Sequence, residues 1–534
     1  MNFNVKKLYQ IHNKFGLNFY HEKFNLIHKI SFIKFNENTN LIDYHNVLLF
    51  IISHPENKQL NLIAENELNR ISIYLRKTQH GYNEKYLNSG LPYTQMSTRF
   101  SQEMFQWLIK QKGCKLTIDS FDKTGIDLNT FLNLTLPNIL KEETTSELSN
   151  ELLLNSLGLN DLKKLTFLLN EFEKLNSLLL IKDHVWNSLK LFVNIKFINL
   201  EYSISYNRFS PKQIFYQTEI LKNFDEKNIF KSKLSPPKIL NVKQKQALVE
   251  VIKKSMVLTM RETDPSTFMD ESSLRIYELE RGISIAIYGM NSNRQLPLQS
   301  YIGYTLFKNG IPISYGGGWV FGKSALFGIN IFEAFRGGES GFIMCQLLRV
   351  YIQVFNLKYI EVESYQFGNG NPDGIKSGAF WFYYKFGFRP INSEIEKLAK
   401  KEFVKIKKNN IYRSNERTLL KLSECNLALN LGKSIPVKRI DISNKIISLI
   451  AKKYKGDNLT AVSDSIKEFS NKTNLNIKYC NKNINIVEEF ALWVKAFNIT
   501  DKNLLKLFVK MVKEKPKSPY NYNKLVVKVL DKTI

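Results

Sequence analysis

The stretch ALFGINIFEAFRGGESGF, residues 325–342, decides how this chain is read. From Ala325 to Phe335 apolar residues alternate with small or polar ones, as in a strand. The next six residues, Arg336-Gly337-Gly338-Glu339-Ser340-Gly341, form a glycine-rich turn. A helix is predicted over Phe342–Phe355, where Gln346, Arg349 and Gln353 make one polar stripe on an otherwise apolar or small-residue surface. A glycine turn that opens a helix suits phosphate, because free backbone N–H groups point outwards there and the helix dipole favours an anion.

The flanking residues extend this pattern. Upstream, Ile283, Ile285 and Ile287 alternate with small residues and predict a strand. Two more strands are predicted over Tyr301–Lys308 and Ile311–Tyr315. They are joined by Asn309-Gly310, a hairpin signal because both turn positions need positive φ. The run Gly316-Gly317-Gly318 is expected to bend or bulge the second of these strands. Downstream come a strand over Tyr359–Ser364, a Gly/Asn-rich loop over 368–374 and a helix over Ile375–Phe386 that stops at Gly387.

This order resembles the acyl-CoA-binding core of the GNAT superfamily of N-acyltransferases, over about residues 275–392. In that family the turn begins with Arg or Gln and carries Gly at the fourth place and Gly or Ala at the sixth. Arg336 and Gly341 match, whereas Glu339 at the fourth place departs from the pattern. A carboxylate facing a pyrophosphate repels it, so the resemblance requires the Glu339 side chain to point away. A second match is SGAFWFYYKFGFRP, residues 377–390, which is similar to the family's A-x-x-F-Y-x-x-x-G-F helix and strand.

The resemblance implies that Phe335, Arg336, Gly337, Gly338, Ser340 and Gly341 hold the pyrophosphate of acetyl-CoA or another acyl-CoA. It places Tyr384 or Tyr383 where a tyrosine protonates the leaving thiolate. Backbone N–H groups near Phe335 and Arg336 are candidates to serve the acyl carbonyl.

Direct acyl transfer also needs a base for the acceptor amine. Glu333 is the candidate. On the predicted strand it shares a face with Phe327, Ile329, Ile331 and Phe335, apolar surroundings that suit a carboxylate to base work near neutral pH. The alternative is a strand-end glutamate paired with Arg336 or solvent. Glu361 and Glu363 alternate with apolar residues on the next strand. They either bind a cationic substrate or line an exposed strand face. All seven histidines precede residue 185, so a Ser–His or Cys–His nucleophile inside the core is excluded unless the N-terminal region reaches across. Cys345, on the predicted helix, reads as a small core residue. No His/Cys cluster has metal-ligand spacing, so no metal is expected.

At 534 residues the chain is too long for one core, and 43% hydrophobic residues rule out wholesale disorder. The reading is an α/β (α+β) GNAT-like core with a mixed central sheet over 241–395. A helical N-terminal domain over 1–200 and a connecting segment over 201–240 precede it, and a basic, mainly helical region over 396–534 follows. No secretory signal or membrane span is expected. Cys114, Cys345, Cys425 and Cys480 are far apart with no CxxC pair, which fits a reducing cytoplasm.

Charge is uneven. The net charge is +27, and residues 391–534 hold 30 Lys and Arg against 14 Asp and Glu. This excess reads either as a surface for nucleic acid or an acidic partner, or as a composition rich in Lys, Asn and Ile. The leading functional expectation is acyl transfer from acyl-CoA to an amine. The alternatives are a carrier-protein acyl donor, or a non-catalytic scaffold that binds nucleic acid or a partner protein through its basic C-terminal region, for example around Lys405, Lys407, Lys408 and Arg413.

Overall fold

Asn309 and Gly310 both hold positive φ, 49° and 81°, and fold two long strands into the expected hairpin. In this computed structural model, which describes residues 1–77, 80–141, 148–409, 411–476 and 484–533, that hairpin lies inside an eight-stranded sheet. Its strands are β4 (Met269–Glu278), β5 (Ile283–Met290), β6 (Ser300–Lys308), β7 (Ile311–Phe321), β8 (Ser324–Ile331), β9 (Tyr359–Val362), β10 (Arg389–Pro390) and β11 (Leu427–Asn430). The order across the sheet is β10-β11-β9-β8-β7-β6-β5-β4. Every pair is antiparallel except β8 with β9, so the sheet is mixed.

The parallel pair is short. Ser324, Ala325 and Leu326 register with Tyr359, Ile360 and Glu361. Beyond Leu326, β8 runs on to Ile331 while staying paired to β7. The two parallel strands therefore part and leave a gap in the sheet.

Several local expectations are corrected. The Gly316-Gly317-Gly318 run does not bulge; it stays in register with Tyr304, Gly303 and Ile302, and the irregularity lies nearer the hairpin, between Leu306 and Phe307. The glycines make room instead. A side chain at Gly317 would collide with the Tyr301 ring, and one at Gly316 with Tyr304. The strand expected to reach Phe335 ends at Ile331, and the helix expected over Ile375–Phe386 is two, Pro372–Ser377 and Ala379–Lys385. Gly378, at φ 63°, separates them. Five strands escaped the sequence reading: β4, β11 in the C-terminal region expected to be helical, and the three within residues 1–200 described below.

The 340–355 helix packs on the sheet face that carries Ile302, Tyr304, Leu306 and Phe327. Its polar stripe has a mechanical use. Gln353 donates to the carbonyls of Phe230 and Ser232, and Arg349 donates to those of Ser232 and Lys233 at 2.9 and 2.8 Å. The connecting segment is thereby strapped across the helix.

Residues 1–200 are not one helical unit. The helices Asn2–Ile11, Leu17–Ser31, Leu41–Ser53 and Lys58–Lys77 share the core of the large sheet, because their Leu- and Ile-rich faces meet the same apolar surface as the central helix. Residues 96–202 build a separate core around a second sheet, ordered β1-β3-β2, of β1 (Gln95–Thr98), β2 (Cys114–Phe121) and β3 (Leu191–Phe197). A third core gathers the helices of residues 439–530. No helix among the described residues is long and apolar enough to cross a membrane. Cys480 lies outside the described residues; Cys114, Cys345 and Cys425 are free thiols.

Candidate functional site

The glycine turn leads into a helix that starts at Ser340. The first bond into the helix runs from Ile343 N–H to the Glu339 carbonyl at 2.9 Å, so the amides of Ser340, Gly341 and Phe342 have no partner inside the helix. Ser340 and Gly341 line a cavity of about 430 Å3. Gly337–Gly341 form its floor, and Lys14, Lys222, Phe224 and Lys385 stand around it. The three lysines come from the N-terminal region, the connecting segment and the 379–385 helix. Phe386 packs directly on Gly341, leaving no space there for a side chain.

Glu339 borders this cavity, but its carboxylate is turned away from it. Its side chain is fully buried on the inner side of the turn. Arg281 Nη2 reaches it at 2.6 Å, Lys308 Nζ at 3.3 Å and the Leu221 backbone N–H at 2.9 Å. Two cations thus oppose one carboxylate, and the turn rests on an excess of positive charge. Burial holds Lys308 down to about 8, although Glu339 pulls it back up.

His54 lies beneath the same turn. Its Nε2 has no hydrogen-bond partner and sits 3.1 Å from where a Gly338 side chain would begin. Burial, and after it the nearby Lys308, keep this histidine well below its ordinary pKa and therefore neutral. The N-terminal region does reach across to the core, but the Ser53 hydroxyl donates to the Phe50 carbonyl at 2.8 Å and so accepts from His54 Nδ1 at 2.7 Å, an arrangement in which the histidine does not act as a base on the serine.

The other predicted site residues divide. Phe335 is buried and Arg336 is exposed, with its Nε on the Ile331 carbonyl at 3.4 Å. The amides of Phe335 and Arg336 already donate to the carbonyls of Phe332 and Glu333, so they are not free for an acyl oxygen. Glu333 is not on the strand. It is exposed and opens a 3-10 turn, Glu333–Phe335, where the apolar surroundings expected of a base are missing. The cause is the strand's end at Ile331, which breaks the alternation on which that expectation relied. Cys345 is buried, and burial pushes its thiol up, as for a core residue.

The two tyrosines part company. Tyr384 packs between Trp381 and Phe403 with the Arg389 guanidinium 4.1 Å over its ring. Tyr383 packs against Phe367 and Phe388, and its phenol acts electrostatically on Tyr304. Tyr304 in turn donates to the Gly328 carbonyl at 3.4 Å, on the part of β8 that has left β9. Of the two, Tyr383 is therefore the one on the gap side. Burial pushes its phenol far up, so it remains protonated.

On the opposite sheet face, reached by the alternation of β6, Tyr301 packs edge-on against Trp319. Burial pushes Tyr301 up to about 12, and the carboxylates of Asp264 and Glu363 add to the shift. Glu363 is exposed at the end of β9. Glu361, by contrast, is engaged by Lys438 at 2.8 Å and Asn426 at 3.3 Å. It is not free to bind a substrate. Gln366 reaches back over the gap, with its amide nitrogen 3.3 Å from where a Gly328 side chain would begin.

Sequence reasoning missed Lys14, Lys222, Lys385, Tyr301 and Gln366. Nothing in their spacing marks them, since each meets the site through the tertiary fold alone. Among the described residues, no group of three or more His, Cys, Asp or Glu is placed to hold a metal ion. No family model, curated protein or solved structure matches this chain.

Proposed function

We propose that this chain is a GNAT-like acyltransferase that moves an acyl group from an acyl-CoA, most simply acetyl-CoA, to an amine. The observation that carries the reading is the withdrawal of Glu339: the one carboxylate in the turn points inward to Arg281 and Lys308, and the outward side offers free helix amides and three lysines. That is chemistry for a pyrophosphate.

The rest of the site fits the same reaction. The gap between β8 and β9 gives a thioester a path through the sheet. Tyr383 stays protonated and donates a hydrogen bond to the departing sulfur. Gln366 offers an amide donor to the acyl oxygen as it gains charge. On the far face, Asp264 and Glu363 beside Tyr301 and Trp319 suit a cationic amine, and Glu363 is the carboxylate free to take its proton. The three converging lysines favour free coenzyme A over a carrier-bound donor, because they answer charge carried by the coenzyme itself.

Calorimetric titration with acetyl-CoA tests the reading. Saturable binding weakened at least tenfold in a Lys222→Glu, Lys385→Glu variant is expected. A wild-type chain that binds neither acetyl-CoA nor longer acyl-CoAs would overturn it.

A further inference from the structure

The basic C-terminal region carries its excess charge unequally. Lys405 is consumed by Glu402 at 2.6 Å, and Lys407 lies over the Phe403 ring. The last two helices, Lys502–Glu514 and Pro519–Thr533, are different.

On the first, Lys502, Lys506, Lys510 and Lys513 are all exposed. Spacings of four, four and three keep them within an arc of about 80° at 3.6 residues per turn. They form a ridge about 16 Å long at 1.5 Å per residue. Lys517, in the connecting turn, is exposed too, and the second helix repeats the four-residue spacing with Lys524 and Lys528, then Lys532. Among the described residues no side chain of these lysines makes an ion pair or a hydrogen bond, whereas elsewhere in the chain many exposed lysines do, such as Lys397 with Glu394 and Lys472 with Glu468. The acids nearby are engaged: Asp531 holds Lys323, Asp501 caps its helix and Glu514 lies within reach of Asn521.

We infer that this lysine ridge is a docking surface for double-stranded nucleic acid, bound through its phosphates without regard to sequence. Three observations select that partner. The apolar face of both helices, with Phe508, Met511, Val526 and Val529, is buried in the C-terminal core. No large apolar side chain of these two helices is exposed. A helix that lies in a membrane surface needs its apolar face free to enter the lipid. No aromatic ring stands among the lysines to stack on unpaired bases, which single-strand binders use. What remains is a row of point charges. Duplex DNA carries about one charge per 1.7 Å of axis, so the ridge spans several phosphates. The inference is independent of the acyltransferase reading, since none of these lysines lines the glycine-turn cavity.

Fluorescence anisotropy with a labelled 20-base-pair duplex at several salt concentrations tests it on the full chain. The comparison is a Lys502→Gln, Lys506→Gln, Lys510→Gln, Lys513→Gln variant. The control removes the same charge elsewhere, through Lys6→Gln, Lys29→Gln, Lys115→Gln, Lys123→Gln, at positions that are equally exposed. Glutamine matches lysine in helix propensity, and circular dichroism checks the fold. The expected result is duplex binding with a steep salt dependence, weakened at least tenfold in the ridge variant and little changed in the control. The slope of log affinity against log salt should fall by up to about 3.6, at about 0.9 per phosphate contact. Equal losses in ridge and control variants would overturn the inference in favour of net charge. Binding to phosphatidylserine vesicles but not to the duplex would overturn it in favour of a membrane surface. No binding of either at 50 mM salt would reduce the ridge to a solvated face.

Discussion

The carboxylate of Glu339 and the ammonium of Lys308 are both completely buried, 3.3 Å apart, beneath a glycine turn whose outer surface is open. With Arg281 at 2.6 Å, the pair turns the residue that departs from the family pattern into the anchor that holds the turn in place. Removing the charge from one member of a buried pair strands the others. Glu339→Gln is therefore expected to destabilise the fold by about 3–5 kcal/mol, read from urea unfolding. A change under about 1 kcal/mol would show that the cluster does not hold the turn.

The same cluster sets a pH dependence. Lys308 sits at about 8 in the folded chain, below the ordinary lysine value of 10.5. Between those values the unfolded chain holds more protons than the folded one, so stability rises with pH across that window. His54, also depressed, acts in the same sense at lower pH: stability is present above its unfolded value of 6.5 and is lost as pH falls below that. Urea midpoints of the wild type measured against Lys308→Met should diverge in the wild type's favour from pH 8 to 10.5. Parallel curves would mean that Lys308 is not titrating in a buried site.

How much of this was visible beforehand depends on the range of the interaction. The Asn309-Gly310 hairpin, the glycine turn and the helix after it were legible because their signals lie within a few residues. The strand β11 was not, since Leu427-Ala428-Leu429-Asn430 is too short to show a period. Its place between β9 and β10 is set by pairing with Val362 and Pro390, far off in sequence. The cavity lysines were equally silent: one more lysine at 14, 222 or 385 carries no signal in a lysine-rich chain. Glu333 misled because a strand pattern continued in the sequence past the residue where the backbone turned.

That misreading has a direct consequence. Exposed substitutions away from such features stay within about 0.5 kcal/mol. Glu333→Gln should leave both stability and acyl transfer within about twofold of wild type, whereas Glu363→Gln should lower transfer at least tenfold and raise the pH at which the rate is half-maximal. Steady-state rates across pH 6–9 distinguish the two. A large loss in Glu333→Gln with Glu363→Gln unaffected would return the base to the first position.

The strap over the central helix gives a third kind of readout. Arg349 is buried and donates to Ser232 and Lys233 carbonyls and to Glu280 at 2.8 Å. Arg349→Met removes the side-chain donor to the Lys233 carbonyl and to Glu280 and leaves the Ser232 carbonyl to Gln353 alone, so the strap loses about half of its hydrogen bonds to the helix. The segment also carries Lys231 and Lys233, both cut sites for trypsin. Limited digestion should cleave the variant there well before the wild type, and equal digestion rates would show that the strap is held by other contacts.

Tyr383 and Tyr384 are adjacent in sequence and identical in chemistry, so a paired comparison isolates position. Tyr383 acts electrostatically on Tyr304 on the gap side; Tyr384 lies under Arg389 and Phe403. If the departing sulfur needs a neutral donor, Tyr383→Phe lowers kcat about tenfold or more, equivalent to about 1.4 kcal/mol of barrier. It leaves the acyl-CoA dissociation constant unchanged, because the interaction exists only as charge develops on sulfur. Tyr384→Phe keeps its ring contacts and should lower kcat less than twofold. A drop in donor affinity with kcat intact would make Tyr383 a packing residue of the site, and equal effects of the two variants would remove the tyrosine from the chemistry.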